Sequence, residues 1–281
     1  MKAFLGTGLL GSNFTRALIA KGAQVNVWNR TAAKAQALEQ YGAKAFANVA
    51  DAVHGADIIH ITLKDDKTVD EVLAQAEAGL MAGAIIIDHT TTSVEGAIKR
   101  TNEWREKGFT YQHAPVFMGP ANALDGTGFM LVSGDQLLIS KLEAELKPMT
   151  GKLLNFGAEA GKAAALKLLG NMFLVAFTAG IADMLALAKA LNTPVSDLLT
   201  LFADWNPGSS LPARTKRVAS GNYTSPSWEL NMARKDTQLF LNAAQNGGAE
   251  LQLIPVIAAW MDKYIAAGYG QEDWSVIGSG L

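Results

Sequence analysis

A glycine turn near the start of the chain constrains the fold more than any other feature of the sequence. Gly6-Thr7-Gly8-Leu9-Leu10-Gly11 follows an apolar run, Lys2–Leu5. It precedes a helix-patterned stretch over residues 12–21 that Gly22 can close as a C-cap. A second β-rich run covers residues 24–28. Strand, G-x-G-x-x-G, helix and strand in this order form the context in which that spacing binds a dinucleotide. The first glycine permits the tight turn, the second lets backbone approach a pyrophosphate, and the third lets helix pack on sheet. Free amides and the helix dipole then hold the phosphates. Gly6, Thr7, Gly8, Leu9, Leu10 and Gly11 are the candidate cofactor contacts.

The end of the second strand selects the dinucleotide. An acidic residue there would bond a free ribose 2′-hydroxyl. This chain has Asn29-Arg30-Thr31 instead. Arg30 can pair with a 2′-phosphate through its fork of donors, and Thr31 can add a hydroxyl. NADP(H) is expected over NAD(H). The plainer reading of Arg30 is a surface arginine closing a strand.

Alternation continues through the first half. Residues 58–63, 85–88, 110–113 and 129–132 read as strands, with helical stretches at 32–41 and 68–80. Strands alternating with helices imply an α/β domain with a doubly wound parallel sheet. A Rossmann domain is expected over residues 1–156. Residues 158–191 contain no proline and read as one helix of roughly 45 Å, broken near Gly170 or Gly180. Helical runs follow at 195–205, 211–221, 230–246 and 253–267 with no returning strand pattern. An all-α C-terminal domain, 157–281, is therefore expected, joined to the first by the long helix. That helix is apolar nearly all round, and such helices are buried. A chain of 281 residues has little with which to surround it. A homodimer through this helix is expected, the alternative being a helix wrapped by its own domain.

Composition removes several function classes. There is no cysteine, which excludes disulfides, thiolate zinc sites and a cysteine nucleophile. The net charge of -2 with no basic tract argues against nucleic acid. His54, His60, His89 and His113 are scattered without ligand spacing, so no metal is expected. The most apolar stretch, residues 168–182, is bracketed by Lys167 and Asp183 and falls short of the roughly 20 residues a bilayer span needs. The segment ahead of the glycine turn is too short for a signal peptide. A soluble cytoplasmic protein acting on a small molecule, without nucleic acid or membrane partners, is expected.

Lys167 and Asn171 are four residues apart and share one helix face. Ala163, Ala164, Leu166, Leu168 and Leu169 surround them in sequence. A lysine there either snorkels to water or sits desolvated, where its lowered pKa suits proton transfer.

Together these motifs resemble the β-hydroxyacid dehydrogenases, the group of 3-hydroxyisobutyrate dehydrogenase and glyoxylate/succinic semialdehyde reductases, over nearly the whole chain. Phe4 to Gly11 is similar to that family's cofactor turn. Leu63-Lys64-Asp65 and Asp88-His89-Thr90-Thr91-Thr92 resemble its two loops beside the nicotinamide. Ala114-Pro115-Val116-Phe117-Met118-Gly119 resembles its substrate signature, and Lys167-Leu168-Leu169-Gly170-Asn171 its catalytic segment. Lys235-Asp236 resembles its C-terminal cofactor motif. The resemblance implies that Lys167 protonates the substrate as hydride arrives and that Asn171 positions it. It implies that Leu63, Lys64, Thr91 and Lys235 border the cofactor, and that Phe117, Met118 and Gly119 meet the substrate. Thr92 has a plainer reading too, as the start of a capping box with Glu95.

One departure stands out. The family signature usually continues Ser-Gly-Gly after Pro-Val, small polar residues that hold a substrate carboxylate, whereas Phe117 and Met118 stand here. In this the chain resembles the imine reductases, which share the fold and use NADPH on hydrophobic cyclic imines. Trp205, Trp228, Met232 and Phe240 are further candidates for a less polar cleft. The expected activity is hydride transfer to a small carbonyl or hydroxy-acid substrate. Imine or ketone reduction is the alternative, and a cofactor-binding protein without chemistry the second alternative.

Overall fold

The computed structural model describes residues 1–280, which divide into two units, Met1–Met172 and Phe173 onward. The first holds a six-stranded all-parallel sheet in the order β3-β2-β1-β4-β5-β6. Its strands are β1 (Lys2–Leu5), β2 (Val25–Trp28), β3 (Lys44–Ala45), β4 (Ile58–Ile61), β5 (Ile85–Asp88) and β6 (Thr110–His113). A smaller sheet sets β7 (Val116–Phe117) antiparallel to β8 (Phe129–Val132), and β9 (Lys152–Asn155) parallel to β8. The helices of this unit are α1 (Leu9–Ala20), α2 (Ala32–Gln36), α3 (Val49–Val53), α4 (Asp66–Ala76), α5 (Val94–Glu106), α6 (Pro120–Asp125) and α7 (Gln136–Leu146).

The inner strands β2, β1, β4 and β5 are short, mostly apolar runs because both faces are covered. Alternate side chains serve opposite cores. Phe4, Val25, Val27 and Ile87 join Phe14, Met130 and Leu142 on one face. Ala3, Leu5, Ile59, Ile61 and Ile86 join Val69, Leu73 and Trp104 on the other. Strand order reverses direction at β1, which pairs with β2 on one side and β4 on the other. In such sheets a ligand crevice opens beyond the carboxyl ends of the strands at that switch. The glycine turn and the segments at 29–31, 62–65 and 89–92 all follow those ends.

The helix α8 (Lys162–Ala190) runs 29 residues without a break at Gly170 or Gly180, against the expected interruption. Through Met172 it belongs to the first unit, and from Phe173 to the second. The second unit continues with α9 (Val195–Asp204), α10 (Leu211–Ser220), α11 (Leu230–Asn246) and α12 (Ile254–Tyr264). Its core gathers Tyr223, Leu230, Ala233, Met261, Tyr264 and Val276. Asp183 on α8 accepts the amides of Gln252, Leu253 and Ile254 at 2.8, 2.8 and 2.9 Å, fixing the start of α12. Among the described residues of this unit an isolated bridge, Glu229 to Asp273, is the sole strand-like pairing.

Three further expectations are corrected. In a single chain α8 is not wrapped: Met172 is 65% exposed and Val175 71%. It is also long and apolar enough to cross a membrane by length and composition, which the shorter stretch read from the sequence was not. Thr92 does not start a capping box. Ser93 is the N-cap of α5, accepting the Gly96 amide at 3.0 Å, while the Thr92 hydroxyl is buried 3.3 Å from His113 Nε2.

Candidate cofactor and active site

The glycine turn is built as the spacing demands. Gly6 has φ +92°, and a Cβ there would stand 2.1 Å from the Thr62 carbonyl oxygen. A Cβ on Gly11 would stand 1.9 Å from the Gly6 carbonyl oxygen. Gly8 has open space where its Cβ would project. Thr62 Oγ1 donates to the Gly6 carbonyl at 2.9 Å, and the Thr7 amide donates to Asn29 Oδ1 at 3.0 Å. Asn29 thus braces the turn from β2. No side chain caps α1 at Gly8, and its first turn carries no acid.

These features fit a dinucleotide. Thr7 Oγ1 is buried without a hydrogen-bond partner, and such a hydroxyl is costly unless a ligand completes it. A phosphate oxygen bound at this turn would supply that partner and meet the free amides of α1. Beside the turn lies a groove of about 390 Å³ lined by Thr7, Gly8, Ser12, Arg16, Lys34 and Tyr41, among others, with no carboxylate in its lining. The Arg16 guanidinium stacks on Tyr41, 4.5 Å from the ring centroid. Arg30 and Thr31 are exposed after β2, and Thr31 is the N-cap residue of α2. Leu9 is exposed and Leu10 half-buried. Sequence reasoning missed Arg16 and Lys34. The signal was present in the spacing of Gly8, Ser12 and Arg16, which recur every four residues on one helix face.

The two loops expected beside the nicotinamide are tied together. The Leu63 amide donates to Thr90 Oγ1 at 3.0 Å. Asp88 accepts the Thr90 amide at 2.8 Å and the Tyr111 hydroxyl at 2.6 Å. Buried Arg100 reaches Tyr111 at 3.1 Å, Asp70 at 3.0 Å and Asp66 at 2.6 Å, and Asp66 accepts the Ser93 amide at 2.8 Å. Thr90, rather than Thr91, makes the loop-to-loop bond. Thr91 and Lys64 are exposed, and Lys64 pairs with Asp65 at 3.5 Å.

The histidines are less scattered than their spacing suggests. His60 Nδ1 lies 3.0 Å from His89 Nε2 with the rings stacked, and His89 Nδ1 lies 2.8 Å from the Ala114 carbonyl. Burial pushes His89 down to about 3, so it is neutral at physiological pH. The pair links the Asp88–Thr92 loop to the segment carrying Phe117.

That segment meets α8. Lys167 is 8% exposed, donates to Asn171 Oδ1 at 2.9 Å, and sits 3.9 Å from the centroid of the Phe117 ring. Burial lowers its pKa to about 8, which suits a group that gives and regains a proton near neutrality. Phe117, Met118 and Gly119 are half-buried. The Gly119 amide donates to Asn122 Oδ1 at 2.9 Å, and Asn122 Nδ2 to Thr127 Oγ1 at 2.9 Å. Sequence reasoning passed over Asn122, which holds the turn after Phe117.

The first unit therefore contains the glycine turn, Asn29 to Thr31, both loops expected beside the nicotinamide, residues 117–119, Lys167 and Asn171. Lys235 belongs to the second unit, exposed and paired with Asp236 at 2.9 Å. Trp205, Trp228, Met232 and Phe240 are also in the second unit, the first three exposed.

Residues 2–157 match the family described as the NAD binding domain of 6-phosphogluconate dehydrogenase, and residues 159–281 the C-terminal domain described as NADPH-dependent reductive aminase-like. The chain is 29% identical over 280 residues to 3-sulfolactaldehyde reductase of Escherichia coli strain K12, covering 98% of this chain and 93% of that one. It is 26% identical over 280 residues to the NADPH-dependent reductive aminase of Aspergillus oryzae, covering 97% and 94%. Among solved structures, an imine reductase from Myxococcus stipitatus in complex with NADP+ superposes with a TM-score of 0.87 at 24% identity, covering 99% of this chain and 98% of that one.

Proposed function

The chain belongs to the family of the 6-phosphogluconate dehydrogenase NAD binding domain, and from that premise we propose that Lys167 is the proton donor of an NADPH-dependent reduction of a small carbonyl or imine compound. It is an NAD(P)-dependent oxidoreductase that binds NADP(H). Bound NADPH supplies the hydride. The chain's own residues do the rest. The glycine turn and Asn29, Arg30 and Thr31 hold the dinucleotide, with Arg16 and Lys34 adding positive charge. Leu63, Lys64 and Thr91 border it. Lys167 gives its proton to the substrate oxygen or nitrogen as the carbon is reduced, and Asn171 orients the ammonium. The single observation that carries this reading is a lysine 8% exposed with its pKa lowered to about 8, its Nζ held by Asn171 on the same helix face.

A hydroxy-acid or semialdehyde substrate fits the family pattern of Lys167 and Asn171. Phe117 and Met118 favour the second reading, an imine or ketone of lower polarity. Supplying NADPH with short semialdehydes in one assay and cyclic imines in another separates the two by following NADPH absorbance. Turnover of imines with none of semialdehydes removes the first reading. No NADPH oxidation with either class leaves a cofactor-binding protein without chemistry.

The working form is proposed to be a cytoplasmic homodimer that buries α8, with the functional domains dividing at 156/157. The exposed apolar residues of α8 support helix pairing, and an apolar groove between α8 and α9 lined by Phe177, Met184, Leu199, Phe202 and Trp205 extends that surface. A bilayer is disfavoured because Asp183 lies within α8 as a buried, ionised cap for α12.

A further inference from the structure

Lys167 has an aromatic ring as a neighbour. An ammonium has three N–H donors and no acceptor. One donor is taken by Asn171 Oδ1. The Phe117 ring covers another flank, its centroid 3.9 Å from Nζ. An oxygen or nitrogen undergoing reduction needs just the donor that remains.

The ring can stand there because residue 170 is glycine. A Cβ on Gly170 would come within 2.3 Å of Phe117 Cζ and 2.9 Å of Cε1. Lys167 and Gly170 are three apart and face the same way. A helix interior disfavours glycine. The other glycine inside α8, Gly180, has nothing within 4 Å of where its Cβ would be. The crowding at 170 therefore belongs to the ring and not to the helix in general.

The chemistry of an aromatic face then decides what Lys167 can meet. The face is the negative part of the ring quadrupole and attracts a cation. A carboxylate brought to the flank that the ring covers gives up its water and meets that negative face instead of an N–H donor. A buried anion without full compensation is costly. An uncharged carbonyl or imine carries no such cost.

We propose that Phe117, seated on Gly170, is a charge filter for this site, admitting uncharged carbonyl and imine compounds and refusing aldehydes that carry a carboxylate or sulfonate. The inference rests on Lys167 being the proton donor, so its test has one arm that needs no turnover. In that arm the Lys167 Cε resonance of 13C-lysine-labelled protein, assigned by its loss in Lys167→Ala, is followed against pH with and without excess butyrate. In the wild type butyrate leaves the Lys167 titration in place. In Phe117→Ser the titration moves upward, toward an ordinary lysine, and moves further when butyrate is added. Gly170→Ala, which displaces the ring from below, moves it the same way. Phe117→Tyr keeps the wild-type behaviour. A wild-type Lys167 titration raised by butyrate, or one unchanged by Phe117→Ser and by Gly170→Ala, overturns the filter whatever the enzyme reduces.

The second arm compares butanal with succinic semialdehyde at equal length. The wild type is expected to prefer butanal by about 100-fold in kcat/KM, and Phe117→Ser to narrow that preference to within about 10-fold. Equal turnover of the two aldehydes by the wild type overturns the filter while leaving the reductase reading intact. Failure of every carbonyl and imine to be reduced removes the reductase reading, and the titration arm still decides the filter.

Discussion

At the scale of single residues, charge explains the cofactor side of the site and burial the catalytic side. Arg30 is exposed, free of any carboxylate partner in its own tripeptide, and follows the strand end where the ribose of a bound dinucleotide is proposed to lie. An arginine–phosphate pair is a charge-assisted bond worth about 1.5–3 kcal/mol. Arg30→Ala is therefore expected to raise the KM for NADPH by roughly 10- to 100-fold and to leave that for NADH nearly unchanged. Steady-state kinetics with both cofactors checks this, and equal losses for the two would remove the 2′-phosphate assignment. Lys167 works by the opposite principle. Burial takes water from around its ammonium, and its proton becomes easier to lose. These residues differed in how far the sequence disclosed them. Arg30 could be placed after a strand from the sequence alone, which is all that its proposed role requires. Lys167 could be placed on a face with Asn171, but its burial depends on a strand fifty residues earlier in the chain. No local pattern announces that contact.

At the scale of elements, periodicity carried most of the fold. The apolar runs of the six-stranded sheet are short and buried on both sides, so they stood out, and the glycine turn fixed where the first strand ends. The elements that escaped were short. Strand β3 has two residues and β7 two, too few for any period to register, and β9 pairs through a register that only the folded chain defines. Helix α8 was legible in extent, yet the break expected near Gly170 did not occur. Glycine there is a packing requirement set by Phe117, and a helix interior tolerates one at about 1 kcal/mol. The same helix carries a further expectation. Its exposed face needs a cover, and Val175, 71% exposed, lies on it. Val175→Asp is expected to convert a dimer to monomer in sedimentation equilibrium at micromolar protein, since an unpaired charge would be buried in the helix contact. A wild type that sediments as a monomer contradicts the proposed assembly, and partition of the protein into detergent would favour a bilayer instead.

At the scale of the whole molecule, a dinucleotide fold and a proton donor must serve one reaction. The family assignment secures the first. The second rests on one lysine. A lysine titrating near 8 is protonated below that pH in the folded chain, whereas an unfolded one stays protonated up to 10.5. Folding thus bears a cost below about 8 that is relieved as pH rises toward 10.5, because the unfolded chain then holds the extra proton. Activity runs the other way. Reduction needs the ammonium, so kcat/KM for carbonyl or imine falls as pH rises through about 8. The most direct measurement is single-turnover oxidation of NADPH by the wild type and Lys167→Ala across that range, with NADPH affinity measured alongside. Loss of a general acid is expected to slow reduction by about 10²- to 10⁴-fold, abolish the fall near pH 8 and leave NADPH affinity within a few-fold. A Lys167→Ala enzyme that reduces the same substrate at the wild-type rate, with the same pH profile, contradicts the assignment.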